Sequence, residues 1–101
     1  MKRIKIGEVG VDSGQLMIVD PCYIESHWKE EDFDDEKKSK ELFSYNAVCK
    51  ETLGKTCYGQ IGNGLAVAFS SGYGDGCYPV YAEINEEGRV MKITVDFNEE
   101  E

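Results

Sequence analysis

The stretch with the most chemical promise is Ser70-Ser71-Gly72-Tyr73-Gly74-Asp75-Gly76-Cys77-Tyr78-Pro79-Val80-Tyr81. Three glycines within five residues let the backbone pass close to another group and adopt positive φ. Successive amides in such a loop can form an anion-binding nest. Tyr73, Tyr78 and Tyr81 add flat faces with hydrogen-bonding tips. Ser71, Gly72, Tyr73, Gly74, Asp75, Gly76 and Tyr78 therefore suit a small ligand that is partly aromatic and partly anionic, such as a nucleotide derivative. The competing reading is a structural bend in which Asp75 makes an Asx turn and the tyrosines pack. The loop is not a Walker loop, since no Gly-Lys-Ser/Thr follows. Nor is it a dinucleotide fingerprint, because a strand is expected where a helix should follow.

A second stretch, Asp20-Pro21-Cys22-Tyr23, closes an expected strand, a place where binding residues often lie. A plain strand terminator is the alternative. Trp28 is either a core anchor or a stacking platform over a pocket. A polyphosphate ligand would need local cations in so acidic a chain, and Arg89 and Lys92 are the candidates. Two kinds of catalysis can be written down. Cys22 could act as a nucleophile if His27, the only histidine, lay beside it as base. Asp20 and Asp75 could pair for acid–base work or hold a divalent metal.

The remaining chemistry is sparse. Cysteines stand at 22, 49, 57 and 77 with no Cys-x-x-Cys pair, so a zinc site is not expected. No glycine lies between Gly14 and Gly54, so the acidic residues there do not spell a calcium loop. No cofactor is expected. The chain has 101 residues with 20 acidic and 11 basic, a formal charge of -9. That argues against a general nucleic-acid binder and against a polybasic membrane-surface protein. Apolar runs such as 16–19 and 65–69 are too short to span a bilayer. Met-Lys-Arg-Ile-Lys-Ile has no apolar stretch behind its basic residues, so no signal peptide is expected. A cytoplasmic protein with free thiols follows.

The elements that must position these residues read as strands. Residues 2–9 alternate, with Ile4 and Ile6 on one face. Gly-Val-Asp-Ser-Gly at 10–14 is a turn signal. Residues 15–20 alternate little and are expected to be covered on both faces. Twelve of the sixteen residues 25–40 are Asp, Glu, Lys or His, which marks an exposed acidic insertion, looped or carrying a short helix near 34–43. Residues 44–53 are expected as a strand with Tyr45, Ala47 and Cys49 on one side, and 57–61 as a short one. Residues 65–70 form a strand with Leu65, Val67 and Phe69 on one face and closely packed Ala66 and Ala68 on the other. Residues 78–85 and 89–97 make a hairpin around Glu86-Glu87-Gly88, with Met91, Ile93, Val95 and Phe97 sharing a face. The sum is one domain, 1–101, of the all-β class with room for one short helix. Its architecture is expected to be a small antiparallel sandwich or a partly open barrel.

At the glycine-rich stretch the sequence resembles a family of uncharacterised bacterial and phage proteins. That family is marked by a Ser-Gly-x-Gly-Asp-Gly-x-Tyr-Pro-Val-Tyr signature. Here the matching positions are Ser71, Gly72, Gly74, Asp75, Gly76, Tyr78, Pro79, Val80 and Tyr81. Gly88 and Arg89, then Val95, Asp96 and Phe97, follow the same pattern, as do Asp12-Ser13-Gly14 and Asp20-Pro21 earlier. The hairpin tip, Asn85-Glu86-Glu87-Gly88, departs from the family's usual Asp–Gly–Arg. The resemblance implies no activity. By analogy of size and setting alone, small phage proteins of other folds sequester nucleotide second messengers of bacterial immunity.

The expected function is therefore a non-enzymatic binder of a small, nucleotide-derived ligand, a phage sponge in the host cytoplasm. Asp20, Cys22, Tyr23, Trp28, residues 71–76, Tyr78 and Arg89 would form its site. Small β domains often build pockets between subunits, so a homo-oligomer is expected. The rivals are a metal-assisted hydrolase using Asp20 and Asp75, and an inhibitor that docks its acidic face, 30–36, on a basic protein partner.

Overall fold

The computed structural model describes residues 1–30 and 40–99. The elements run β1 (Lys2–Val11), β2 (Gln15–Val19), α1 (Cys22–Ser26), α2 (Tyr45–Thr52), β3 (Tyr58–Ile61), a single 3-10 turn (Gly62–Gly64), β4 (Ala66–Ser70), β5 (Gly76–Ile84) and β6 (Val90–Val95). The all-β class is the class observed, with two open, three-stranded antiparallel sheets. Most of the helix expected near 34–43, and most of the acidic insertion, lie outside the described residues; residues 40–43 are described and form no α-helix. The chain forms two compact units, Met1–Gly14 with the segment from Ser71 onward, and Gln15–Ser70.

The first unit is the sheet β1–β5–β6. Ile4 pairs with Ala82, and Ala82 with Ile93. The register slips between Lys5 and Gly7, leaving Ile6 as the extra residue of a bulge. Pro79 lies in the middle strand, where a missing N–H is normally excluded. The β5–β6 ladder starts only at Val80–Val95, so the lost donor falls beyond its end. The hairpin tip is organised by Asn85, whose Oδ1 accepts the amides of Glu87 and Arg89, both at 3.0 Å. Met91 and Ile93 are about half exposed, so the apolar face expected for β6 is only partly covered.

The second unit is the sheet β2–β4–β3 with α2 packed on β3 and β4. Its core is Phe43, Ala47, Val48, Ile61, Ala66 and Ala68, rimmed by Met17, Val19, Tyr23, Trp28 and Leu42. Ala66 and Ala68 turn the alanine face of β4 inward, as their small size suggested, and Ala47 is equally buried. Small residues on helix and sheet let the two backbones approach.

Two expectations fail here. The strand expected at 44–53 is the helix α2. Ser44 has extended backbone and its Oγ accepts the Ala47 amide at 3.1 Å, a helix N-cap. The buried residues Ala47, Val48 and Thr52 fall on one face at helical rather than alternating spacing. The alternation of Tyr45, Ala47 and Cys49 was coincidental. β2 is also not covered on both faces, since Ile18 is 62% exposed. An apolar run alone does not say which of its faces is buried.

Candidate functional site

The glycine-rich loop is held shut by its own hydroxyls. Ser71 is fully buried and its amide donates to Gly14 O at 3.0 Å. Its Oγ donates to Gly74 O at 2.7 Å, and the Tyr78 hydroxyl donates to the same oxygen at 2.8 Å. Gly72 (φ 74°) and Gly74 (φ 115°) adopt the left-handed backbone that this turn requires. Tyr78 is buried and meets the Phe97 ring edge-on, with centroids 5.1 Å apart. Tyr73, by contrast, projects wholly into solvent, and Asp75 is exposed. Asp75 Oδ1 lies 3.9 Å from where a Cβ on Gly14 would sit. The hydroxyls of Ser71 and Tyr78 are thus spent inside the loop, and its outward groups are Tyr73 and Asp75.

Asp20, Cys22, Tyr23 and Trp28 belong to the other unit. Asp20 Oδ1 accepts the Cys22 amide at 3.1 Å, and Asp20 O accepts the Tyr23 amide at 3.0 Å, so Asp20 turns the chain into α1. The bond from the Cys22 amide, with a further one from the Cys22 thiol, holds the Asp20 carboxyl below the usual range. The same carboxylate pushes the Cys22 thiol up, with desolvation a smaller contribution. That is the wrong direction for a nucleophile, which needs its thiolate. His27 is engaged elsewhere. The Ser26 hydroxyl lies 2.9 Å from Cys22 O, to which it can donate. The same Ser26 Oγ lies 2.6 Å from His27 Nδ1, so that ring nitrogen is engaged by Ser26. Trp28 stands edge-on to Phe43 at 6.0 Å, and its Nε1 donates to Glu30 Oε1 at 2.8 Å. That oxygen also accepts the Tyr45 amide at 3.2 Å, so Trp28 and α2 share an anchor.

The expected cations are both compensated. Arg89 lies 3.5 Å from Glu87, and Lys92 lies 3.4 Å from Glu83 across the β5–β6 ladder. Among the described residues, a cluster of positive charge lies elsewhere. Lys40, Lys50, Lys55, Thr56 and Tyr58 line an open cleft of about 740 Å³ at the end of α2. Glu51 sits among them with its Oε1 2.8 Å from Lys40 Nζ. Lys50 and Lys55 have no carboxylate partner among the described residues. None of the twelve residues expected to bind ligand lines this cleft. Nor do they line two smaller ones, at His27, Lys29 and Phe43, and at Arg3, Lys5 and Tyr81. The available signal was the trio of lysines at 40, 50 and 55 in a chain of net charge -9.

Among the described residues no three His, Cys, Asp or Glu side chains gather as metal ligands, and Asp20 and Asp75 belong to different units. All four cysteines are free thiols. No helix among the described residues is long and apolar enough to cross a membrane.

Among the described residues, fold and site define a small β protein of two three-stranded sheets with a cleft lined by three lysines. The chain belongs to the family described as "Protein of unknown function (DUF4241)", which it matches over residues 5–95. No curated protein and no solved structure matches it.

Proposed function

We propose that this protein binds and withholds a small anionic ligand without turning it over. The ligand class is nucleotide-derived, and the lysine cleft is where its charge is held. The observation that carries this reading is the cleft itself. It sets two ammonium groups, without a carboxylate partner among the described residues, beside the exposed ring of Tyr58 in an acidic chain. Its volume lies within the range of small-molecule sites, roughly 300–1,000 Å³. Ammonium groups suit phosphate and an aromatic face suits a base. The Cys22 thiol, pushed up rather than activated, adds nothing toward covalent catalysis. By analogy of size with small phage proteins that sequester such molecules, the ligand proposed is a nucleotide signal of host immunity, held by an oligomer in the host cytoplasm.

A second reading places an aromatic ligand on the glycine loop, favoured by the complete exposure of Tyr73 on a backbone that its own hydroxyls hold in place.

The test is retention without turnover. The protein is incubated with a panel of linear and cyclic nucleotides, separated from free ligand, denatured, and the released material analysed. Intact nucleotide, reduced about tenfold by Lys50→Ala with Lys55→Ala, is the expected result. Retention lost in Tyr73→Ala instead moves the site to the loop. Cleaved product makes it a hydrolase instead. No retention, with tight binding of a basic host protein, makes it an inhibitor working through the acidic insertion.

A further inference from the structure

The lysine cleft contains its own carboxylate, and the fold provides a seat for it. Glu51 lies in the last turn of α2 with a side chain only 11% exposed. It crosses the β3 backbone at Gly59, where a Cβ would collide with Oε1 and come within 3.0 Å of Cδ. A glycine at 59 is what lets this carboxylate lie there and hold Lys40. One lysine is therefore already compensated, while Lys50 and Lys55 face the cleft with no carboxylate partner among the described residues. The carbonyls ending α2 add partial negative charge: Lys50 O and Glu51 O lie 3.2 and 3.5 Å from where a Cβ on Gly54 would sit.

From this balance we infer that the cleft selects a terminal phosphate, a phosphomonoester dianion, over a phosphodiester monoanion, with Lys50 and Lys55 as its charge partners. The inference rests on the anion-binding reading above and names its ligand class. Coulomb energy scales with the ligand's charge, so each lysine attracts a dianion about twice as strongly as a monoanion in the same place. A phosphomonoester carries about -1.5 to -2 charges at pH 7, with its second proton leaving near pH 6. A diester carries one charge at any neutral pH. Glu51 weakens the attraction for both, the dianion more, so the preference rests on Lys50 and Lys55, whose charges Glu51 offsets only in part.

The experiment compares a nucleoside 5′-monophosphate with the 3′,5′-cyclic monophosphate of the same nucleoside by calorimetric titration of the intact chain. Base and sugar are shared, and the second charge is the difference. At pH 7.5 the 5′-monophosphate should bind about tenfold tighter or more, and at pH 5 the advantage should vanish. Sulfate, a dianion at both pH values, is the control for titration of the protein's own groups, and its competition should hold at pH 5. Lys50→Gln and Lys55→Gln should each cost the monophosphate about twice the logarithm of affinity that they cost the cyclic form. Glu51→Gln should strengthen both ligands, the monophosphate more. If it weakened them, Glu51 would be a structural prop for Lys40 and the charge argument would fail. Equal binding of the two nucleotides overturns the inference and leaves the anion-binding reading standing. No binding of either, with sulfate also without effect, overturns both.

Discussion

Two hydroxyls on one carbonyl make the glycine loop testable by a double-mutant cycle. Gly74 O accepts from Ser71 Oγ at 2.7 Å and from Tyr78 OH at 2.8 Å. Ser71→Ala or Tyr78→Phe alone removes one bond and leaves the other, so the carbonyl stays satisfied. Each single change should cost about 1 kcal/mol, the net worth of a typical intramolecular hydrogen bond. The double change leaves the carbonyl with neither donor, and an orphaned acceptor costs roughly 1–3 kcal/mol in desolvation. The pair should therefore lose more than the sum of the singles, by about 0.5–1 kcal/mol. Urea unfolding followed by circular dichroism reads all four corners of the cycle, with an unchanged slope required for comparison. Asp75→Asn, exposed and outside the staple, should stay within about 0.5 kcal/mol of wild type. Strict additivity would mean that water reaches Gly74 O once either hydroxyl is gone. Singles without measurable cost would mean that the hydroxyls do not hold the loop, and its rigidity would need another origin.

Two further outcomes are expected. Gly62 has φ 60°, and a Cβ there would collide with the buried Phe43 ring, whereas Gly88 has φ 80° and open space around it. Gly62→Ala should cost about 3 kcal/mol or more, backbone strain plus overpacking, and Gly88→Ala about 1 kcal/mol of strain alone, both read as urea midpoints; equal shifts would refute the contact with Phe43. The Tyr81 hydroxyl donates to Glu99 Oε2 at 2.8 Å, which, with desolvation adding to it, holds the tyrosine above its ordinary value against the opposing pull of Lys5 and Arg3. Glu99→Gln should bring Tyr81 down in an ultraviolet titration. Because the folded value is the raised one, the stabilisation is complete below the ordinary tyrosine range and is lost as pH rises through it. Wild type should therefore lose melting temperature more steeply than Glu99→Gln above about pH 10.

Much of the fold was legible because its strands carry short-range signals. The β5–β6 hairpin announces itself by alternation on both sides of a turn, and Asn85 and Gly88 supply the turn chemistry. Ala66 and Ala68 announced a close approach, and α2 is what approaches. The helix itself is poorly signalled because its eight residues make only about two helical turns. Over that length Tyr45, Ala47 and Cys49 alternate as well as Ala47, Val48 and Thr52 repeat. The deciding signal was Ser44, whose side chain caps the amide three residues on.

The cleft was hidden for a different reason, and that reason says where function can be sought in an acidic chain. Arg89 and Lys92, the cations expected at a site, both have partners nearby: Glu87 two residues from one, Glu83 across the ladder from the other. Lys40, Lys50 and Lys55 lie on a connecting segment, a helix and a turn, and only folding brings them to one cleft. An acidic chain can neutralise most of its cations through neighbours in sequence or in the ladder, and those pairs carry no information about a ligand. A cation that the fold leaves unpaired among so many carboxylates is one they could have reached and did not. Among the described residues Lys50 and Lys55 meet that condition beside an exposed aromatic ring, and this makes the end of α2, rather than the glycine loop, the place to look first for a bound anion.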